Sequence, residues 1–93
     1  MRFAWNPWKA EDNLRKHDVS FQEALSVFED PNAQIHDDPR HSQYEAREII
    51  VGYSARLRLV LVAFTEREGI IRIISARKAT FLERIDHEEG TTN

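Results

Sequence analysis

Three apolar runs dominate the second half of this chain: "REIIVGYSA" at 47–55, "LRLVLVAFT" at 57–65 and "IIRIIS" at 70–75. Each is rich in β-branched residues, and only the short polar links "ARL" and "EREG" separate them. That combination predicts consecutive strands in an antiparallel meander. If Glu68-Gly69 form the centre of a two-residue hairpin, Arg67 faces Ile70, Thr65 faces Arg72 and Phe64 faces Ile73. Period-two alternation then puts Thr65, Arg67 and Arg72 on one face and Phe64, Ile71 and Ile73 on the other. Arg77 follows the last of these strand residues and can swing to either side.

The first half reads differently. "FAW" at 3–5 is a candidate short strand. Asn6 is a suitable N-cap, and Pro7 suits the first position of a helix running to about His17, whose apolar stripe is thin (Trp8, Leu14). Ser20 and Glu23 have the spacing of a capping box, and Phe21, Ala24, Leu25 and Phe28 share one face of the helix it opens. Asp30-Pro31 ends that helix. A polar segment at 31–46 forms a loop with a candidate strand at 34–36, and "KATFLERIDHEE" predicts a C-terminal helix that Gly90 can stop. The expected fold is α+β: N-terminal helices packed on an antiparallel sheet of three to four strands, then a C-terminal helix, as one domain over 1–93.

Ninety-three residues bury one core and not two. With no cysteine, disulfides and thiolate metal sites are excluded. "LVLVAF" at 59–64 is too short to span a bilayer, and no apolar stretch follows Arg2 as in a secretion signal, so a cytoplasmic protein without membrane partners is expected. Net charge is −3, which at first argues against a polyanionic partner. Yet 54–84 holds seven basic and three acidic residues, against six and thirteen in the remainder. Such asymmetry points to a local cationic field, the electrostatic signature of phosphate binding, or to a solvated face of mixed ion pairs.

Several residues offer chemistry. His17 ends the first helix, where the helix dipole favours positive charge; it suits a general acid, with Lys16 beside it, or a simple cap of helix carbonyls. His41, in "DPRHS", organises its loop, and Arg40 clamps phosphate or pairs with Asp37 or Asp38. Glu45 and Tyr44 offer a general base and a stacking or acid group. His36, Asp37, Asp38 and His41 match no tight metal motif, so neither metal nor cofactor is expected. His36 and His87 read as surface residues, and Trp5 and Trp8 as core or interface anchors.

"LRKHDVSFQEA", "EDPNA", "DDPRHSQYEAREIIVGYSARLRLVLVAFTER" and "IRIISARKAT" together resemble the BrnT toxin family, over about 3–84. The discriminating motifs are N-L-x-K-H, D-P-R-H-S and I-S-A-R-K-A-T. Asp18 departs from the family's glycine, and the tail "HEEGTTN" is short and acidic. The resemblance implies a RelE-like fold and the toxin of a type II toxin–antitoxin pair. It implies a metal-independent endoribonuclease that cleaves RNA and inhibits translation, neutralised by a BrnA-type antitoxin. Partners would be that antitoxin, RNA (mRNA, free or on the ribosome) and, through the antitoxin only, DNA, in higher-order toxin–antitoxin assemblies. Matched to the motif positions, Arg67 and Arg77 are expected to be catalytic; His17, as the acid at the helix end, completes the expected catalytic set, and Lys16, Arg40, Arg72 and Lys78 are the expected RNA-binding residues. The alternative is a non-catalytic RNA-binding or antitoxin-binding module of the same fold.

Overall fold

The computed structural model describes residues 1–41 and 45–91. Tyr44 lies outside them. The chain folds as β1 (Arg2–Ala4), α1 (Pro7–His17), α2 (Phe21–Val27), β2 (Gln34–Asp37), a 3-10 turn (Pro39–His41), β3 (Glu48–Tyr53), β4 (Leu59–Arg67), β5 (Ile70–Lys78) and α3 (Phe81–Thr91). The strands form one sheet in the order β1-β5-β4-β3-β2. This corrects the expected sheet, which is five-stranded and mixed rather than antiparallel with three to four strands. The meander β3-β4-β5 stands, but β1 adds to β5 in parallel, with Phe3 opposite Ile71. Three residues carry too little pattern to specify a pairing partner across nearly seventy positions of chain. The partner is chosen by the helices that return the chain across the sheet.

One face of the sheet holds the core. Val19, Phe21, Ala24 and Val27 pack on Ile50, Val60, Val62, Phe64, Ile71 and Ile73, all buried. Phe3, Phe28 and Phe64 form an edge-to-face chain with centroids 5.1 and 5.2 Å apart, and Trp5 meets Phe21 at 6.0 Å. Trp5 is therefore a core anchor, whereas Trp8 is 78% exposed. No helix among the described residues is long and apolar enough to cross a membrane.

The hairpin between β4 and β5 has the expected register: Arg67 opposite Ile70, Thr65 opposite Arg72, Phe64 opposite Ile73. Glu68 (φ 53°) and Gly69 (φ 77°) both adopt positive φ, as a type I′ turn requires. Phe64, Ile71 and Ile73 are buried and Arg67 and Arg72 exposed, but Thr65 is buried too.

Farther along, the register shifts. Ala63 pairs with Ser75 and Phe64 with Ile73, which leaves Ile74 as the extra residue of a β-bulge. Without it, Ser75 and Arg77 would share the core-facing parity of Ile71 and Ile73. With it, Ala76 turns to the core, and Ser75 and Arg77 turn to the opposite face. Arg77 is thus a strand residue whose side is set by the bulge, not a free end able to swing either way.

The bulge is pinned by α1. Beyond Arg72, β5 has no β1 partner, so backbone groups on that edge need other satisfaction. Buried Asn13 supplies it: its Oδ1 accepts from Ala76 N–H (3.0 Å), and its Nδ2 donates to Ala76 O (2.8 Å) and Val19 O (2.9 Å).

Helix ends follow local rules, with one exception. Asn6 accepts from Trp8 and Lys9 N–H, and Ser20 accepts from Glu23 N–H at 3.0 Å. Asp18 caps α1 at φ 57°, ψ 32°, the left-handed conformation in which glycine is the usual residue. The expected return half of the Ser20–Glu23 box does not form. The Glu23 carboxylate is buried and accepts from Ser54 Oγ (2.7 Å) and from Arg58 through Nε (2.9 Å) and Nη2. A guanidinium fork outcompetes a backbone N–H for a desolvated carboxylate, and it holds Glu23 below the usual carboxylate range.

Candidate active site

The sheet face opposite the core carries Ile49, Val51, Leu61 and Ala63. α3 covers part of it and leaves the rest as a cleft of about 410 Å³. Its floor is Ile49, Leu61 and Ala63, and its walls are cationic: Arg77 and Ser75 from β5, His17 from the end of α1, Arg40 and His41 from the 3-10 turn, and Arg47 ahead of β3. Three arginines and two histidines thus converge from four chain segments around one acidic wall residue, Asp38.

Local structure accounts for each placement. Arg77 lies opposite Leu61 and is aimed by the Ile74 bulge. His17 is brought to the rim by the left-handed turn at Asp18, whose N–H closes on Leu14 O at 2.9 Å. Arg47 shares the parity of Ile49 and Val51, so the alternation that turns those side chains to this face turns Arg47 there as well. Asp38 N–H donates to Arg47 O (2.9 Å) and His41 N–H to Asp38 O (3.2 Å), fastening the turn to β3. His41 Nδ1 lies 3.0 Å from Asp38 Oδ2. Asp38 therefore orients the ring and leaves Nε2 as the nitrogen that can exchange a proton with a ligand.

Arg77 is already engaged. Its Nη1 and Nη2 donate to the two carboxylate oxygens of Glu83 at 2.8 and 2.9 Å, a bidentate pair. Glu83 also closes a capping box at the start of α3, accepting from Thr80 N–H (2.9 Å) while its own N–H donates to Thr80 Oγ1 (3.2 Å). Held mainly by Arg77, the Glu83 carboxyl titrates at about 2, and the Arg77 guanidinium is raised in return.

Of the residues expected from sequence, His17, Arg40 and Arg77 meet in the cleft. Lys16 sits in a smaller hollow beside His17 and pairs with Asp12 at 2.9 Å. Lys78 pairs in register with Val60, on the face opposite to Arg77. Arg67 and Arg72 do not line the cleft. Arg67 closes the hairpin, roughly 20 Å along β4 from the Leu61–Arg77 pair at about 3.3 Å per residue. Glu45 is exposed and outside the cleft.

Sequence reasoning missed Arg47, although its parity with Ile49 was readable. It also missed the Asp38–His41 pairing and the T-x-x-E box at Thr80–Glu83. His87, expected at the surface, is only 4% exposed, because it follows Glu83 by one helical turn and shares the face of α3 turned to the sheet. Among the described residues no group of three or more His, Asp or Glu is arranged to hold a metal ion.

Comparison with known proteins agrees with this architecture. No curated protein matches the sequence. The crystal structure of the Brucella abortus ribonuclease toxin BrnT superposes with a TM-score of 0.67 at 20% identity, over 86% of this chain and 97% of that one, a likeness that shows the fold. The family model described as the ribonuclease toxin BrnT of type II toxin–antitoxin systems matches residues 5–83. The chain therefore belongs to the BrnT family of ribonuclease toxins of type II toxin–antitoxin systems.

Proposed function

We propose that the chain is a metal-independent endoribonuclease whose reaction centre is this cleft. The carrying observation is the convergence of Arg40, Arg47, Arg77, His17 and the Asp38-oriented His41 on one apolar floor. RNA can be cut by its own 2′-hydroxyl. The hydroxyl oxygen bonds to phosphorus, the bond to the 5′-oxygen breaks, and a 2′,3′-cyclic phosphate and a 5′-hydroxyl remain. His41 Nε2 takes the 2′-proton while Asp38 stabilises the resulting imidazolium. His17, at the negative end of α1, donates a proton to the leaving oxygen. The arginines hold the non-bridging oxygens as charge grows on them, with Arg77 offering its two-nitrogen fork once Glu83 yields it. Lys16, beside His17, suits a neighbouring phosphate. Arg67, Arg72 and Lys78 would touch only RNA that extends beyond the cleft.

Cleavage of transcripts would inhibit translation, and a BrnA-type antitoxin would neutralise the toxin by covering this cationic face. The RelE-like character of the fold, implied by the resemblance, is part of the same proposal. Incubation with RNA in EDTA tests it. Cleavage should persist, give 2′,3′-cyclic ends, stop on 2′-O-methyl RNA and fall sharply in His41→Ala and His17→Ala. Activity that vanished with chelator and returned with a divalent cation would overturn the mechanism. RNA retained without cleavage, weakening steeply with salt, would favour the binding-module reading instead.

A further inference from the structure

A second hollow, of about 420 Å³, lies between α3 and the sheet, a size typical of small-molecule sites. Its floor is Ile49, Val51 and Leu61, and two of these, Ile49 and Leu61, also floor the cationic cleft. The two hollows are therefore neighbours on one sheet face. The Arg77–Glu83 pair stands at their border, since Arg77 lines the first and Glu83 the second.

His87 lines this hollow from α3. It is buried, its ring meets Tyr53 edge-on at 6.0 Å, and neither Nδ1 nor Nε2 has a hydrogen-bond partner among the described residues. A neutral imidazole carries one donor and one acceptor, and sealing both without partners costs free energy that a structural side chain would not need to spend. Gln34 adds a carboxamide, again one donor group and one acceptor, at the same hollow.

An apolar floor edged by the Gln34 carboxamide, the imidazoles of His36 and His87 and the acceptor carboxylates of Glu83 and Asp86, adjoining a phosphate cleft, has the chemistry of a nucleobase pocket. The base's faces match Ile49, Val51 and Leu61, and its edge presents donors and acceptors together. We propose that the hollow under α3 is a base-binding subsite for the nucleotide flanking the phosphate at Arg77, with His87 as its principal polar contact. This rests on the proposed phosphate cleft, but it adds a site that the cleavage chemistry does not require.

The test titrates the full chain, by calorimetry and NMR, with inorganic phosphate, ribose 5-phosphate and the four ribonucleoside 3′-monophosphates. At least one nucleotide should bind about tenfold more tightly than ribose 5-phosphate, equivalent to about 1.4 kcal/mol. His87→Phe should abolish that increment and leave phosphate affinity unchanged. Because His87 is buried, Val51→Phe provides a second variant: it fills the hollow from a residue that does not line the cleft, and it should abolish the same increment. Equal binding of all nucleotides and ribose 5-phosphate would overturn the subsite while leaving the cleft intact. So would an increment that survives in either folded variant. Failure of phosphate itself to bind, or its indifference to Arg77→Ala, would overturn the cleft and the subsite with it.

Discussion

Glu83→Gln separates a stabilising ion pair from a functional one. In the wild type both Glu83 oxygens are held by Arg77 at 2.8 and 2.9 Å, and the carboxyl titrates at about 2 instead of 4.5. Taken whole, that gap corresponds to roughly 3.4 kcal/mol. The side chains are 44% and 33% exposed, and ion pairs in such settings measure about 0–1 kcal/mol, so the pair is assigned about 1 kcal/mol. Losing it from a domain of this size should lower Tm by about 4–8 °C. The same loss removes a competitor for the Arg77 fork, so inorganic phosphate should bind about fivefold more tightly, the factor equivalent to about 1 kcal/mol. The pH dependence carries a sign. A carboxyl depressed in the folded state stabilises fully above its ordinary value, and that contribution fades as pH falls from 4.5 toward about 2. The Tm gap between wild type and variant should therefore narrow over that window. Melting scans across pH, beside phosphate titrations at pH 7, measure both effects. A variant that melts lower and binds phosphate no better, or worse, would show that Glu83 serves to orient Arg77, and the competition would be refuted.

Arg77→Ala should cut RNA cleavage about a hundredfold to a thousandfold, as loss of one oxyanion donor does, with partial rescue by lysine. Arg67→Ala, at the far end of the hairpin, should stay near wild type; single-turnover assays on both, checked against Tm, decide between the two arginines. Asn13→Ala leaves the Ala76 N–H and two carbonyls without their side-chain partners and should cost on the order of 2–4 kcal/mol in urea denaturation. It should also reduce cleavage by more than its loss of folded protein explains, because the bulge that aims Arg77 loosens. Glu23→Gln removes the carboxylate partner of Arg58, which keeps Asp18 at 3.4 Å and the Asp18 carbonyl at 2.7 Å, and should cost about 2 kcal/mol, the scale of a hydrogen bond to a charged group. Since the Glu23 carboxyl is depressed by Arg58, wild-type stability should decline on acidification below the ordinary carboxylate range, and the variant should lack that component of the decline.

Much of the fold was legible because it is local. Asn6-Pro7 start a helix whatever surrounds them, since the cap and the fixed φ act within one turn. Glu68-Gly69 set the hairpin register because few residue pairs tolerate two consecutive positive φ angles. The phenylalanines and isoleucines of α2, β4 and β5 declared the core by their period. Asp18 was recognisable as a glycine position, and its left-handed backbone is the reason.

The site depended on interactions between residues far apart in sequence. Nothing in "IIRIISARK" shows that Ile74 is surplus. That follows from the Val62–Ala76 and Phe64–Ile73 pairs holding two parities at once, with Asn13, 63 positions away, bonding Ala76 from α1. Without the bulge Arg77 would point toward the core. Glu23 looked like half of a capping box because Arg58, its actual partner, lies 35 residues on. Arg67 and Arg77 looked equivalent because both flank one isoleucine strand; six residues of extended β4 set them apart, since a strand gains length with every residue and brings nothing back. By itself the sequence determined which segments are helix or strand, which face of each is apolar, and the family. Which cations share a cleft, and which carboxylate occupies its arginine, was decided only by the tertiary structure, because strand register and helix docking are set by packing across the whole sheet.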